Sequence, residues 1–142
     1  MPKIYYKNVK FRLRETREIK NWIVQVIRSE EKEPGDLSFI FASDKYIKEI
    51  NKEFLNHNYN TDVIAFDYKK GNVINGEIYL GINKIRKNAV QYKNTILNEV
   101  LRVMVHGVLH IIGYDDKTEI EKKKMKKMED IYLEIFKEKD GI

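Results

Sequence analysis

The stretch that decides the fold is Ile96–Gly113, with the sequence ILNEVLRVMVHGVLHIIG. Asn94 or Thr95, just before it, can cap a helix, and Gly113 favours a helix C-terminus. Apolar residues cover most sides of this helix rather than one face. We therefore expect it to be buried on most sides and to lie at the centre of the fold.

Two of the three histidines in the chain, His106 and His110, lie four residues apart in this helix. That spacing places both imidazoles on one helix face, close enough to bind the same ion. Gly113 can adopt a positive φ and turn the chain back, so that the carboxylate of Asp116 reaches the same ion. Two imidazoles and one carboxylate leave a fourth position for water, as in catalytic zinc sites. The sequence predicts one divalent metal bound by His106, His110 and Asp116 in an open, hydrolytic site.

The composition limits the choice of metal and of reaction. The chain has no cysteine, so disulfides are excluded and any metal site must use His, Asp or Glu. Two histidines and one aspartate favour zinc and also suit nickel, iron or manganese. Zinc peptidases of the H-E-x-x-H type use the glutamate as a base, and that position is Gly107 here. Peptidase chemistry by this route is excluded unless another carboxylate, such as Glu99 or Glu77, reaches the water. Phosphodiester hydrolysis depends less on a single base.

Length and charge indicate the class of protein. The 142 residues fit one domain, 1–142, and 42% apolar with 35% charged residues are typical of a water-soluble globular protein. No apolar run reaches the ~20 residues of a membrane span and no signal-like stretch is present, so we expect a cytoplasmic protein. The net charge of +5 would attract a polyanion such as RNA, although such an excess also serves solubility.

Alternating apolar residues and strand-forming residues predict four strands. A register shift is expected at Asn8, a turn at Pro34-Gly35 and a polar turn at Lys69–Asn72, which would make a hairpin of the strands around it. The predicted strands are Lys3–Leu13, Leu37–Ala42, Thr61–Tyr68 and a segment with Ile78, Leu80 and Ile82 on one face.

Helical spacing predicts four further helices around the central one. The first is indicated by the apolar spacing of Ile19–Ile27, and the second by a Ser43 cap before Ile47, Ile50 and Phe54, which share one face. An Asn83 cap precedes a short third helix. A Thr118–Glu121 capping box precedes the last helix, which carries Met125, Met128, Tyr132 and Ile135. The polar run Asn56–Asn60 is expected to close the second of these helices. The architecture is therefore α+β in one unit.

The motif around the two histidines resembles a known family. Residues 106–116, HGVLHIIGYDD, are similar to the signature of the YbeY family of rRNA-maturation endoribonucleases, His-Gly-x-Leu-His-x-x-Gly-Tyr-Asp-His, at ten of eleven positions. The resemblance extends from about Leu37 to Tyr132. It includes Asn51, Phe54, Thr61-Asp62-Val63 before Phe66, Gly76-Glu77-Ile78, Glu99, and Met125 or Met128.

The resemblance implies a small mixed sheet of about four strands packed with about five helices, the metal-binding helix being central. The metal would lie in a cleft bordered by Thr61–Phe66 and Gly76–Ile78. The implied activity is that of a metal-dependent, single-strand-specific endoribonuclease in rRNA 3′-end processing and ribosome maturation, with RNA and the ribosome or its precursors as partners. The implied catalytic residues are His106, His110 and Asp116, and the implied cleft or neighbouring residues are Glu99, Thr61, Asp62 and Glu77. Glu99 could orient a ligand histidine.

Two departures from the family pattern affect the expected chemistry. Asp116 replaces the third histidine. This change keeps a ligand at that position, now a charged carboxylate oxygen, and alters the net charge of the site. Leu55 replaces an arginine that is thought to handle phosphate in relatives. Other cations near the metal helix could take that role, although each could equally solvate a helix face. These are Lys84, Arg86, Lys87, Lys93 and Arg102. His57 is expected to be a solvated loop residue.

Two alternatives remain open at this level. One is another zinc metallohydrolase of a peptidase-like kind, against which Gly107 argues. The other is a non-catalytic RNA-binding or ribosome-binding module whose metal is structural, which the leucine at position 55 keeps open.

Overall fold

Four strands and five helices make up the part of the chain that the structure, a computed structural model, describes: residues 1–54 and 61–140. This confirms the predicted α+β class and the predicted numbers of strands and helices. In chain order the elements are β1 (Lys3–Lys7), α1 (Thr16–Ser29), β2 (Glu33–Ala42), α2 (Asp44–Phe54), β3 (Val63–Asp67), β4 (Val73–Gly81), α3 (Ile82–Gln91), α4 (Ile96–Ile112) and α5 (Glu119–Asp140).

The sheet is mixed, with strand order β1-β2-β4-β3. β2 lies parallel to β1 and to β4, whereas β3 pairs with β4 in antiparallel orientation. The predicted hairpin is thus confirmed as β3 and β4, with Ala65 opposite Ile78. β3 is therefore an edge strand of the sheet, and it contacts the histidine helix.

The first strand is shorter than predicted. β1 ends at Lys7, and Asn8 has a φ of 56°, which breaks the strand at the residue where the pattern shifts register. The expected strand Lys3–Leu13 was therefore wrong beyond Lys7. Val9, Phe11 and Leu13 still pack on the core, because alternate side chains of an irregular segment can reach the same face.

The expected Pro34-Gly35 turn was also wrong, because both residues lie inside β2. The chain turns earlier, at Glu31, which has a φ of 61°, and the pairing of β2 with β4 shifts register between Pro34 and Leu37. A proline is tolerated at such an irregularity, where its missing N–H leaves no ladder bond unmade.

Two details of the other helices differ from the sequence pattern. α3 begins at Ile82, so Asn83 lies inside it and Gly81 occupies the cap position without a side-chain bond. Phe54 does not share the buried face of Ile47 and Ile50, since it is 62% exposed and contacts the edge of Phe66. The predicted Ser43 cap is present, because its Oγ accepts a hydrogen bond from the N–H of Tyr46 at 3.3 Å.

α4 is the central helix that its composition predicts. Thr95 caps it by accepting a hydrogen bond from the N–H of Asn98 at 3.0 Å, and Gly113 follows its end with a φ of 133°. The helix contacts β3, β4, α1, α3 and α5, and burial of its apolar sides against these elements supplies much of the driving force for packing.

α5 closes the other side of α4. Its capping box is confirmed: Thr118 Oγ1 accepts from the N–H of Glu121 at 3.1 Å, and Glu121 Oε1 accepts from the N–H of Thr118 at 2.9 Å. Met125 and Tyr132 are buried, and the Tyr132 carbonyl accepts a hydrogen bond from Nε1 of Trp22 at 2.8 Å. The methionine and aromatic stripe is therefore core packing.

Within the described residues, no helix is by itself long and apolar enough to cross a membrane. α3 and α4 reach that length and composition only together, and they are bent by 117° at the break between them.

Candidate functional site

The three predicted metal ligands line one cavity of about 420 Å³ between α4 and β3, which we call the β3 cavity. The rings of His106 and His110 are parallel to within 4°, with centroids 6.4 Å apart, as expected for residues one helical turn apart. The chain turns at Gly113 and returns Asp116 to the helix, where its Oδ2 lies 3.4 Å from Nε2 of His106. The structure thus brings His106, His110 and Asp116 to one place.

The three side chains share a cavity without closing on one point. Among residues 1–54 and 61–140, no group of three or more His, Asp or Glu side chains is close enough to hold a metal ion as positioned. His106 and Asp116 come nearest, since two ligands on a tetrahedral zinc with bonds of ~2.0–2.1 Å lie about 3.3 Å apart. Simultaneous binding by all three residues therefore requires their side chains to move closer together.

The hydrogen bonds of both histidines leave the same ring nitrogen for a ligand. Nδ1 of His106 lies 2.7 Å from Oε2 of Glu129, and Nδ1 of His110 lies 3.1 Å from the carbonyl oxygen of Tyr114. Because both partners are acceptors, we assign a proton to each Nδ1, and in the neutral form of each ring Nε2 then keeps its lone pair. Metal-binding histidines have this arrangement, so the donor set fits a divalent metal.

Glu129 is a site residue that the sequence analysis missed. It is only 6% exposed, and Arg102 holds its other oxygen, with Nη1 2.9 Å from Oε1. The partner that orients His106 is therefore Glu129 on α5, not Glu99 as the sequence suggested. A signal was present: Glu129 lies four residues after Met125, on the apolar stripe of α5, where a charged residue needs a buried partner.

Glu99 lies in a neighbouring part of the cleft. It is buried and lines a cavity with Arg102 and His106, and its side chain is hydrogen-bonded to Asn94. Burial raises the pKa of Glu99, and the charge of Arg102 only partly offsets that effect. Its predicted position in the cleft agrees with the structure, while its predicted bond to a histidine does not.

Thr61 and Asp62 line the β3 cavity, as the sequence predicted for cleft residues. Asp62 accepts a hydrogen bond from the amide of Asn88 at 3.3 Å. Burial raises the pKa of Asp62, and the nearby charges of His106 and Lys84 counteract only part of that rise. A carboxyl group with a raised pKa beside His106 is suited to proton transfer.

Glu77 does not belong to this cleft. In β4 the side of the strand that carries Gly76 and Ile78 faces α4, so Glu77 points to the opposite face of the sheet. There it accepts a hydrogen bond from the hydroxyl of Tyr68 at 3.4 Å. The prediction that Glu77 lines the cleft was therefore wrong, because successive side chains along a strand point to opposite faces of the sheet.

The electrostatic surroundings favour the protonated form of His106 in the absence of a metal. Burial lowers the pKa of His106, but the hydrogen bond and charge of Glu129, together with the charges of Asp116 and Asp62, outweigh burial and raise it. The same negative charges would favour a divalent cation at this position.

Tyr114 anchors the loop that carries Asp116. Its hydroxyl donates a hydrogen bond to Oε1 of Glu30 at 2.7 Å, and the hydroxyl of Tyr132 donates to the other oxygen of the same carboxylate. Burial and the Glu30 charge raise the pKa of Tyr114 to about 12. The loop is thus tied to the end of α1 and to α5, which limits where Asp116 can lie.

The five candidate cations have different surroundings. Arg102 lines a cavity with His106, but Glu129 and Asp130 both bind its guanidinium. Arg86 lies over the ring of Phe11, at 6.0 Å from its centroid. The other three are lysines: Lys84, whose charge acts on Asp62, Lys87 on α3, and Lys93, which has a φ of 54° in the following turn. Leu55 and His57 lie outside the described residues.

Gly107 has a packing reason to be glycine. A Cβ at this position would lie 2.8 Å from Cγ2 of Ile78, so the missing side chain allows α4 to lie close to the sheet. Position 107, where zinc peptidases carry their glutamate, therefore faces β4 in this chain and holds glycine.

If His106 binds zinc as predicted, Glu129→Gln should weaken zinc binding roughly 10- to 100-fold, as is typical when the hydrogen-bond partner of a ligand histidine is changed. The amide oxygen of glutamine can still accept a hydrogen bond from the Nδ1–H of His106, but the negative charge that makes His106 a stronger ligand is lost. Competition with a chromophoric zinc chelator measures the change. Asp130→Asn is the matched control, because Asp130 also binds Arg102 but does not contact His106. Equal losses in both variants would contradict the role of Glu129.

Comparisons with known proteins identify the family of this chain. The family described as endoribonuclease YbeY matches residues 4–137. Endoribonuclease YbeY of Flavobacterium psychrophilum is 44% identical over 128 residues, covering 90% of this chain and 91% of the relative. The protein of the same name from Karelsulcia muelleri is 43% identical and covers 95% of this chain and 96% of the relative. A solution structure of a Thermotoga maritima protein aligns with a TM-score of 0.69 at 27% identity, covering 98% of this chain and 91% of that one. Since the family match includes the whole histidine motif and nearly the whole fold, the chain belongs to the YbeY family of endoribonucleases.

Proposed function

We propose that this chain is a metal-dependent endoribonuclease that cleaves single-stranded RNA in rRNA 3′-end processing and ribosome maturation. The observation that carries the proposal is that His106, His110 and Asp116 line one cavity, with both Nδ1 atoms already bonded to acceptors. Family membership over nearly the whole chain supports RNA as the substrate. An rRNA substrate would also place the protein in the cytoplasm.

The proposed ligands of one divalent ion, with zinc favoured, are Nε2 of His106, Nε2 of His110 and the carboxylate of Asp116. When bound, such an ion lowers the pKa of water and offsets negative charge on a phosphodiester. Glu129 keeps the proton of His106 on Nδ1 and orients the ring, and the carbonyl of Tyr114 does the same for His110.

Asp62 is the proposed site of proton exchange. Its carboxyl group lines the β3 cavity together with His106, and burial raises its pKa, which makes it a stronger proton acceptor than an exposed aspartate. In this proposal Asp62 accepts the proton that the attacking water loses, and it returns a proton to the leaving oxygen of the RNA.

The substrate class is tested with purified protein, added zinc and three substrates: a single-stranded RNA, the same RNA in a duplex, and an unstructured peptide. We expect cleavage of the single strand alone, its loss on dialysis against a chelator, and its return with zinc. Peptide cleavage would favour the other metallohydrolase class, and RNA cleavage that resists the chelator would contradict the metal dependence.

A further inference from the structure

A second cavity adjoins the predicted metal ligands on the side away from β3. It has a volume of about 500 Å³, shares His106 and Asp116 with the β3 cavity, and is bounded by α4, α5 and the turn before α4; we call it the α5 cavity. A smaller cavity of about 270 Å³ is lined by His106 and Asp116 together with Asp62 from one side and Glu129 from the other. The ligand cluster therefore lies partway along a groove rather than at its end.

The walls of the α5 cavity carry groups suited to a nucleotide. Tyr92 presents a ring that is 65% exposed, and Met125 contributes an apolar wall. Lys122 and Lys126 lie one turn apart on α5. Their ion pairs with Glu119 and Asp130 are both 3.7 Å long and solvent-exposed, so they hold the ammonium groups only weakly.

The carboxylates of the same cavity are largely compensated. Glu129 is bound by Arg102, Glu99 is hydrogen-bonded to Asn94 and lies near the charge of Arg102, and Asp116 lies 3.4 Å from His106. The two lysines are therefore the cations of this wall that remain available to an anion, whereas the guanidinium of Arg102 already has two carboxylate partners.

We infer that the α5 cavity binds one nucleotide of a single-stranded RNA next to the cleaved bond, with the base on Tyr92 and the backbone phosphates on Lys122 and Lys126. This inference rests on the proposed function. The volume lies within the ~300–1,000 Å³ typical of small-ligand sites, and every base has a face that can stack on an aromatic ring. Since a base in a duplex is already stacked and paired, this site would select single strands.

The lysine contacts are tested in a His110→Ala background, in which RNA binds without being cut, by fluorescence anisotropy with a labelled single-stranded 12-mer. The variant Lys122→Gln/Lys126→Gln is compared with Lys123→Gln/Lys127→Gln, which removes the same charge at the same spacing from the next face of α5. We expect the first pair to weaken binding about tenfold and to reduce the salt slope by about 1.4, the value for two phosphate contacts on a single strand. Equal losses in the two pairs would overturn the inference, because they would indicate a diffuse effect of charge.

The base contact is tested in the same background with Tyr92→Ala, for which we expect roughly tenfold weaker binding, and with Tyr92→Phe, which keeps the ring and should bind like the parent. Tyr5→Ala is the control, because Tyr5 is an exposed tyrosine on β1. Unchanged binding by Tyr92→Ala would overturn the stacking.

The two proposals fail in different ways. No RNA cleavage by the wild-type protein would contradict the proposed function. Cleavage by the wild type, combined with equal losses for the two lysine pairs, would contradict the nucleotide site alone.

Discussion

His110→Ala is expected to lower the rate of RNA cleavage by about 100- to 1,000-fold, because a metal ion at such a site supplies several kcal/mol of transition-state stabilisation. The side chain of His110 is exposed at the end of α4 and lines the β3 cavity. Its removal takes away one of three proposed ligands without opening a hole in the core, so the fold should persist.

Two measurements on the same samples check this prediction. Single-turnover cleavage of a single-stranded RNA gives the rate, and elemental analysis of protein purified without added ions gives the metal content. Gln25→Ala, a change at an exposed residue of α1, is the control and should leave both values unchanged. Equal residual activity in wild type and His110→Ala would indicate a contaminating nuclease, and unchanged metal content would contradict His110 as a ligand.

Gly76→Ala is expected to destabilise the fold by about 3 kcal/mol, a large fraction of the ~5–15 kcal/mol stability of a typical domain. A Cβ at position 76 would lie 2.4 Å from the carbonyl oxygen of Phe66 and 2.8 Å from Cδ1 of Ile111. The first contact is with the backbone of β3, which cannot rotate away as a side chain can. The added methyl therefore pushes β3 and α4 away from β4, at the place where the two meet beside the site.

Gly107→Ala is the matched control for this prediction, because it adds the same methyl group at the same layer of the structure. There the close contact is with the side chain of Ile78, which is fully buried and has to shift. Overpacking of this kind costs ~1–3 kcal/mol, and replacing glycine in a helix gains back about 1 kcal/mol, so we expect a loss of about 1 kcal/mol, smaller than at Gly76. Urea unfolding followed by circular dichroism measures both variants. Equal destabilisation would show that the backbone contact at Gly76 is not decisive.

Local patterns predicted the elements that depend on local chemistry. The capping box of Thr118 and Glu121, the cap at Thr95 and the turn at Gly113 are present because each joins residues within four positions of one another. The spacing of His106 and His110 set their shared helix face for the same reason. The prediction of a turn at Pro34-Gly35 was wrong, because a register shift in the pairing with β4, a distant strand, accommodates both residues inside β2.

The sequence by itself predicted the α+β class and the central helix, and it selected His106, His110 and Asp116, which line one cavity, because local periodicity and short spacings suffice for these. Only the tertiary structure decided that Glu129 orients His106, that Glu77 faces away from the cleft, and that Tyr92 and α5 wall a second cavity. Each of those results depends on how α5, β4 and the turn before α4 pack against the same helix. Periodicity marks which face of a segment is buried but not which distant segment packs against it, so these pairings have to be seen in three dimensions.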